Sequence, residues 1–445
     1  MIPMRNLEFD LKTSPPTSTG YTGERETIPL EKKSAPTSGT LAAELESFAA
    51  YGTATRILQT TVTAGDGSSI ATPVYVNEFW TARQRQANSL HEISYRACFK
   101  PQLPRFFIER LTKPGDVVYD PFMGRGTTPV EAALLGRTPW GSDINPLSQV
   151  MAGGRLNPPR LQMIGERLES IPLDQPADEP SELLAFYHPE TLRGLSSLKN
   201  YFQARRTSGE LDGIDLWLEM VCLNRLTGHS PGFFSVRTMP PNQAVSVKSQ
   251  LKINARLKQT PPVRDLRKII LKKSRQLLAD VTPQLAATLA EAAASSRLLT
   301  APAHATTALP ENSVQLVVTS PPFLDIVNYA GDNWLRCWFL GIDPEAVQLT
   351  VPRKLTDWAA AMTRVFRELH RLLKRNGHVA FEVGEVRGGA VKLEETVIPC
   401  GSAAGLVPQL VLINDQQFTK TANCWGVDNN SRGTNTNRIV LFRKP

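Results

Sequence analysis

Two short strings hold the residues of this chain best suited to chemistry. The first is Asp120-Pro121-Phe122-Met123-Gly124-Arg125-Gly126-Thr127-Thr128, the second Thr319-Ser320-Pro321-Pro322-Phe323. Each follows an apolar run, Val117-Val118-Tyr119 and Val314 to Val318, of the kind that forms a buried parallel strand. In an open α/β sheet, ligands bind beyond the carboxyl ends of such strands. Gly124 and Gly126 remove Cβ atoms, so main chain can approach a ligand closely. The helix start after Thr127 and Thr128 offers N–H groups to an acceptor. Asp143 lies nineteen residues past Gly124, at the end of the next strand, where an acid hydrogen-bonds ribose hydroxyls in dinucleotide folds. The loop lacks the Lys-Ser/Thr ending of an ATP-binding P-loop, and Asp120 suits an ammonium better than a pyrophosphate. A nucleoside-containing cofactor is expected.

The second string suits a conjugated amine. An exocyclic amine on cytosine or adenine is a weak nucleophile because its lone pair is delocalised into the ring. Accepting both of its N–H bonds localises that pair. Ser320 Oγ and the Pro321 carbonyl can be those acceptors, with Pro321 and Pro322 stiffening the turn and Phe323 stacking on the base. The same Thr-Ser-Pro-Pro occurs at Thr13 to Pro16, without a preceding strand or a following aromatic, and carries no meaning there.

The positioning elements read as α/β. Residues 1–70 are expected to be a flexible N-terminal tail, the first 40 or so being rich in Pro, Ser, Thr and Gly, with the first part of the catalytic domain over 71–150. Val76 to Leu111 has helical spacing, stopped by Lys113-Pro114-Gly115. Residues 116–145 read as strand, glycine loop, helix with Pro129 at its first position, and strand, which is half of a doubly wound sheet. The pattern breaks over 151–300, read as an insertion with its own helices. It resumes over 301–445 with strands at Val314–Thr319 and His378–Val383, and a hairpin of Leu410–Ile413 with Arg438–Phe442 at the sheet edge.

The chain has 445 residues and a net charge of +8. Lys248 to Arg275 contains ten Lys/Arg against one acid, Asp265, a band suited to a polyanion. Five dispersed cysteines make no metal or disulfide pattern, and no metal site is expected. No apolar run approaches a membrane span and the N-terminus lacks a secretion signal, so a cytoplasmic protein is expected.

These strings resemble the amino-methyltransferases of DNA. Asp120 to Thr128 resembles their cofactor motif and Thr319 to Phe323 their catalytic tetrapeptide. Lys100-Pro101-Gln102-Leu103 resembles the element that touches the methionine end of the cofactor. Leu373 to Val379 resembles a later helix–strand junction, and Thr434 to Val440 the closing strand. The resemblance implies a Rossmann-like methyltransferase sheet with S-adenosylmethionine as cofactor. Lys100, Gln102, Asp120, Pro121, Phe122, Gly124, Gly126, Thr127, Thr128 and Asp143 would bind it. Ser320, Pro321, Pro322 and Phe323 would be catalytic. Ser at the first tetrapeptide position implies cytosine N4 in double-stranded DNA, with the base flipped out. The motif order, cofactor before catalytic, matches a branch that includes many adenine-N6 enzymes. Arg125 departs from the small residue usual between the glycines.

The basic insertion takes the place of the family's target-recognition region. There Phe233, Phe234, Arg237, Lys248, Lys252, Arg256 and Lys258 are the expected DNA contacts. A cognate restriction endonuclease is the implied functional partner. An RNA-base or protein-amide methyltransferase is the nearer rival, and a non-catalytic DNA-binding protein is a rival of a different class. Carbon-5 methylation of cytosine is rejected, because Pro399-Cys400 is followed by Gly401 and lies far past the cofactor loop.

Overall fold

The computed structural model describes residues 41–81, 87–95, 98–175, 179–238, 244–322, 329–347, 352, 354–386, 391–415 and 436–445. The chain begins with helix α1 (Leu41–Glu46) and a hairpin, β1 (Arg56–Thr63) and β2 (Ser69–Asn77). Helix α2 (Gln102–Leu111), strand β3 (Val117–Asp120), helix α3 (Thr127–Leu134) and strand β4 (Thr138–Asp143) follow. The insertion carries α4 (Leu147–Leu156), α5 (Leu161–Ser170), α6 (Pro189–Ser208), α7 (Gly213–Arg225), α8 (Val247–Leu257), α9 (Leu266–Leu277) and α10 (Pro283–Ala294). It ends in β5 (Arg297–Thr300) and leads to β6 (Val314–Thr319), α11 (Tyr329–Leu340), α12 (Leu355–Leu372) and β7 (Leu373–Val383). A small hairpin, β8 (Glu385–Val386) with β9 (Val391–Lys392), precedes α13 (Leu393–Ser402), β10 (Val407–Asp415) and β11 (Thr436–Arg443).

Nine strands form one sheet in the order β1-β2-β10-β11-β7-β6-β3-β4-β5. The run from β7 to β5 is parallel, and β11 enters antiparallel between β10 and β7. The near-continuous apolar strands follow from burial on both faces, with alternate residues going to opposite layers. Tyr119, Val317, Phe381, Val411, Val440 and Phe442 pack on one side with Trp358 and Phe366 of α12 and Val397 of α13. Val118, Leu316, Val318, Ala380, Leu412 and Ile439 pack on the other with Phe106 and Phe107 of α2. Helices therefore cover both faces, and the α/β doubly wound arrangement expected from the sequence is present. A third apolar cluster joins the helices of the insertion to α11 through Trp217, Leu198, Phe202 and Phe339.

Several boundaries differ from expectation. Within the stretch assigned to the tail, helix α1 forms and β1 and β2 extend the sheet edge. Strand β1 is mostly exposed and Thr-rich, so it has no strong apolar alternation to read. Residues 76–111 are not one helix. Val76 ends β2, and the buried side chain of Asn414 accepts from Phe79 N (2.7 Å) and Trp80 N (3.2 Å) to turn the chain away. A 3-10 turn at Ser89–His91 follows, and only Gln102 onward is α-helical. Pro129 is the third residue of α3, not the first. The β10–β11 hairpin forms as expected but lies inside the sheet, since β2 pairs parallel with β10 beyond it.

Two histidines, His91 buried and His378 half-buried, resist protonation in the folded chain. His91 donates from its neutral ring to Glu131 on α3 (2.7 Å), and burial holds its pKa below the ordinary value. Burial and the Arg443 guanidinium push His378 down to about 4. The unfolded chain therefore takes up protons that the folded chain refuses, so stability is lost as pH falls below about 6.5. Urea unfolding is expected to show a stability drop on the order of 2–3 kcal/mol from His378 alone between pH 7 and pH 4. His378→Asn should flatten that part of the slope.

Candidate active site

Strands β3 and β6 are neighbours, with Val118 opposite Leu316 and Tyr119 opposite Val317. Their carboxyl ends therefore place the two strings side by side. The contact is direct: Thr319 Oγ donates to Asp120 Oδ1 at 2.6 Å, and Phe122 N donates to the same oxygen at 3.0 Å. Thr128 Oγ, from the start of α3, reaches back to the carbonyl of Val318 at 3.0 Å. Asp120 is 1% exposed, and burial pushes its carboxyl up to about 7 against these hydrogen bonds. A buried acid poised between neutral and charged is well placed to answer a cationic ligand group, whose arrival would favour the carboxylate.

The glycine loop is held from three sides. Asp143 Oδ2 accepts from Gly124 N and its Oδ1 from Asn145 N, both at 2.9 Å, and Met123 N donates to Ser142 O at 3.0 Å. Asp143 thus stands at the end of β4 as expected, with its carboxylate already latching the turn. Further acceptance from a ribose hydroxyl would use its remaining lone pairs. Gly124 (φ 48°) and Gly126 (φ 80°) are both left-handed, and their roles divide. A Cβ on Gly126 would fall 2.5 Å from Ala152 Cβ, so this glycine admits the close approach of α4 rather than of a ligand. A Cβ on Gly124 would meet only Tyr95 Cε1, at 3.5 Å, and the Phe122 carbonyl, at 3.9 Å, so the open side belongs to Gly124. Thr127 Oγ accepts from Arg125 Nε at 3.0 Å. Pro121 is buried and Phe122 half-buried. Half-buried Lys100 feels the Arg125 charge and has its pKa lowered chiefly by burial, which places it beside the loop; Gln102 opens α2 just after it.

At the second string, Ser320 is partly exposed beyond β6, Pro321 is buried, and the Pro322 carbonyl accepts from Trp358 Nε1 at 3.0 Å. Phe323 lies outside the described residues. The Ser320 hydroxyl hydrogen-bonds the carboxylate of Glu382 on β7, which also accepts from Asn437 Nδ2 at 2.9 Å. Burial raises the pKa of Glu382. Sequence reasoning passed over this acid. Its signal was a lone carboxylate in an apolar strand, Val379-Ala380-Phe381-Glu382-Val383, one step beyond the Thr319–Phe381 pairing. Because Ser320 donates its own proton to Glu382, its lone pairs stay available as acceptors.

The expected DNA contacts separate into two groups. Phe233 is 5% exposed, stacked under the Arg225 guanidinium at 4.0 Å, and Phe234 is fully buried. Neither can meet a base as expected; an aromatic pair in a loop rich in Gly and Ser gave no periodicity from which to read its burial. Arg237, Lys248, Lys252, Arg256 and Lys258 are exposed. The last four lie on or just after α8, which is docked by amides: Gln250 Nε2 donates to Arg237 O (3.1 Å) and Asn254 Nδ2 to Ala185 O (2.7 Å). Gln250 is the one buried residue of that helix, and Leu251 and Leu257 face solvent. The α9 part of the band is partly structural, with Arg267 donating to the carbonyls of Leu168 and Ile171. A cavity of about 1140 Å³ lies between α5, the start of α6 and α9, lined by Arg193, Arg264, Lys268 and Lys272 but by no residue of either string.

Residues 12–150 match a family model described as DNA methylase. A Type II methyltransferase, M.MjaII, of Methanocaldococcus jannaschii is 35% identical over 92 residues, 21% of this chain and 16% of that one. A second, M.MvaI, of Kocuria varians is 46% identical over 67 residues, 14% of this chain and 15% of that one. Over residues 12–150 the chain is therefore similar to DNA methylases. Its match spans about a sixth of the length of these curated relatives. The solved structure of TrmN from Thermus thermophilus aligns over 81% of this chain and 53% of that one, at 12% identity and a TM-score of 0.31. The sheet order above stands on its own strand pairings. Among the described residues, no helix is long and apolar enough to cross a membrane.

The bond between the two strings is testable by stability. Thr319→Val leaves buried Asp120 short of one donor. Above pH 7, where Asp120 is charged, the loss should be about 1–3 kcal/mol by urea unfolding. At pH 6, where the acid is mostly neutral, the loss should be smaller. Equal losses at both pH values would show that the bond does not serve the charged form.

Proposed function

We propose that this protein transfers a methyl group from S-adenosylmethionine to the exocyclic amine of a DNA base, cytosine N4 being the favoured target. The observation that supports this most is the Thr319–Asp120 hydrogen bond, which holds the two strings on adjacent strand ends. The family match agrees with it. The loop residues fit such a cofactor: Gly124 leaves an open left-handed turn, Asp120 supplies a carboxyl for an ammonium, and Lys100 stands beside the loop. Bound there, the cofactor would supply an electrophilic methyl group. The protein's part is to make the amine ready. Ser320 Oγ accepts one N–H while passing its own proton toward Glu382, and the Pro321 carbonyl is the second acceptor. The lone pair is thereby drawn out of the ring. After transfer the nitrogen is strongly acidic, and Glu382 stands one hydroxyl away to receive its proton. A base paired inside a duplex cannot reach this turn, so the target is flipped out. We read the family's Type II relatives as support for a role in protecting DNA from a cognate endonuclease.

The protein incubated with radiolabelled S-adenosylmethionine is expected to label double-stranded DNA. Ser320→Ala and Glu382→Gln should lower the rate by about two orders of magnitude or more, the range of a lost transition-state contact. Mass spectrometry of the digested nucleosides should find N4-methylcytosine. N6-methyladenine would move the target to the other amine, and label confined to RNA would reject the DNA reading.

The insertion is read as the target-recognition region, with α8 as its DNA-contacting helix. From Val247 to Lys258 it has four cations, all exposed, and no acid, and it is docked through the hydrogen bonds of Gln250 and Asn254. Such a helix suits the phosphates and edges of a groove. Combining Lys248→Glu, Lys252→Glu and Arg256→Glu should weaken duplex binding by about a hundredfold at moderate salt and reduce the salt slope by roughly one per lost phosphate contact. Unchanged binding and slope would remove α8 from the interface.

A further inference from the structure

Residues 89–95 cross beneath the glycine loop with little secondary structure of their own. Ser89, Leu90, His91 and Ile93 are buried, so their main-chain carbonyls need donors, and the segment's own amides meet part of that need, Glu92 N donating to Ser89 O (2.9 Å) and Ile93 N to His91 O (2.8 Å). Five consecutive carbonyls find donors in buried cations. Arg155 Nη1 donates to Leu90 O (3.1 Å), and Arg125 Nη1 to His91 O (3.3 Å) and Ile93 O (2.7 Å). Lys273 Nζ donates to Glu92 O (2.5 Å), and Arg336 Nη2 to Ser94 O (3.3 Å). Arg155 also donates to the main-chain carbonyl of Arg125, which ties α4 to the glycine loop.

The donors come from four places that the chain otherwise keeps apart. Arg125 is the odd residue of the glycine loop, Arg155 belongs to α4, Lys273 to α9 in the insertion, and Arg336 to α11 after the Ser-Pro-Pro turn. All four are at most 9% exposed. Among the described residues Arg125, Arg155 and Lys273 show no ion pair, and their donors go to main-chain carbonyls and, for Arg125 Nε, to the Thr127 hydroxyl. Charged donors bind such acceptors more strongly than neutral ones and fix their direction. Burial and the neighbouring Arg225 push the Lys273 ammonium down to about 8.

At the end of this run stands Tyr95. Its ring covers the open side of Gly124, with Cε1 3.5 Å from where a Cβ would be, and Arg336 lies 5.5 Å from its ring centroid. We propose that residues 90–94 form a carbonyl latch that sets Tyr95 as a wall of the donor cleft, with Lys273 as the positioning residue that ties the insertion to that wall. The inference rests on the reading of the glycine loop as the donor site. It explains why Arg125 replaces a small residue: its side chain reaches down to two carbonyls of the latch instead of up toward a ligand.

The test is calorimetric binding of S-adenosylhomocysteine to the full chain. Lys273→Met and Tyr95→Ala should each raise Kd by about tenfold, while the double variant should be within about twofold of Tyr95→Ala, because both act through one ring. Lys273→Arg should restore binding to within about threefold, since it keeps a charged donor. Where Lys273→Met melts below the assay temperature, Lys273→Gln is read against the same outcomes. Wild-type affinity in the Lys273 variant, or losses that multiply to about a hundredfold in the double variant, would overturn the latch. Failure of the wild-type protein itself to bind would instead sink the donor-site reading, and the latch with it.

Discussion

The constraint on which the site depends is a single buried acid shared by two loops. Asp120 ends β3 and cannot be solvated where it sits, so it must be satisfied by protein or ligand. Thr319 at the end of β6 and the amide of Phe122 do part of that work. The result is that the glycine loop and the Ser-Pro-Pro turn cannot separate without stranding a carboxyl. Parallel pairing of β3 with β6 brings them near; the hydrogen bond makes their relative position definite. Incomplete satisfaction has its own use. A carboxyl held near neutrality has a strong reason to prefer a cation beside it, which a fully paired aspartate would lack.

The same logic recurs one strand further along. Glu382 follows the Phe381 that pairs with Thr319, so the register of β6 on β7 carries the acid to Ser320. A slip of one residue would turn Glu382 to the other face and break the pair. Asn437 on β11, antiparallel beside β7, holds its other side. Three adjacent strands thus supply the hydroxyl, the carboxylate and the amide. The chemistry is carried by sheet register more than by loop conformation, which is the more rigid way to build it.

What could be read from the sequence follows from how strongly each local pattern is constrained. The strands β3, β6 and β7 were legible because burial on both faces leaves almost no choice but Val, Leu, Tyr and Phe, and their carboxyl ends then located both loops. The edge hairpin was not legible: Arg56 to Thr63 is mostly exposed on both faces, so its residues report solvent rather than a sheet. Phe233 and Phe234 were misread for the opposite reason. An isolated aromatic pair in a Gly- and Ser-rich loop has no period, and only the fold reveals that Arg225 and the core cover it. Glu382 was hidden by its neighbours, since a strand scan rewards the apolar residues around it. The departure at Arg125 was visible as an anomaly but had no meaning until residues 90–94 were seen beneath it.

Arg125 also shows how an irregular segment becomes precise. A helix or strand satisfies its own carbonyls and needs little from its surroundings. Residues 90–94 hold only the end of a 3-10 turn and one local bond to His91 O, and a largely buried stretch of that kind is costly unless donors are aimed at its oxygens. Long cationic side chains can do this from a distance, each from a different element, so the segment takes its shape from four neighbours at once. The consequence is mechanical. Any displacement of α9 or α11 large enough to break a charge-assisted hydrogen bond must either carry residues 90–94 with it or leave an oxygen and a cation buried without partners. Such a segment responds to its neighbours as a unit, which makes it a natural junction between the basic insertion and the glycine turn.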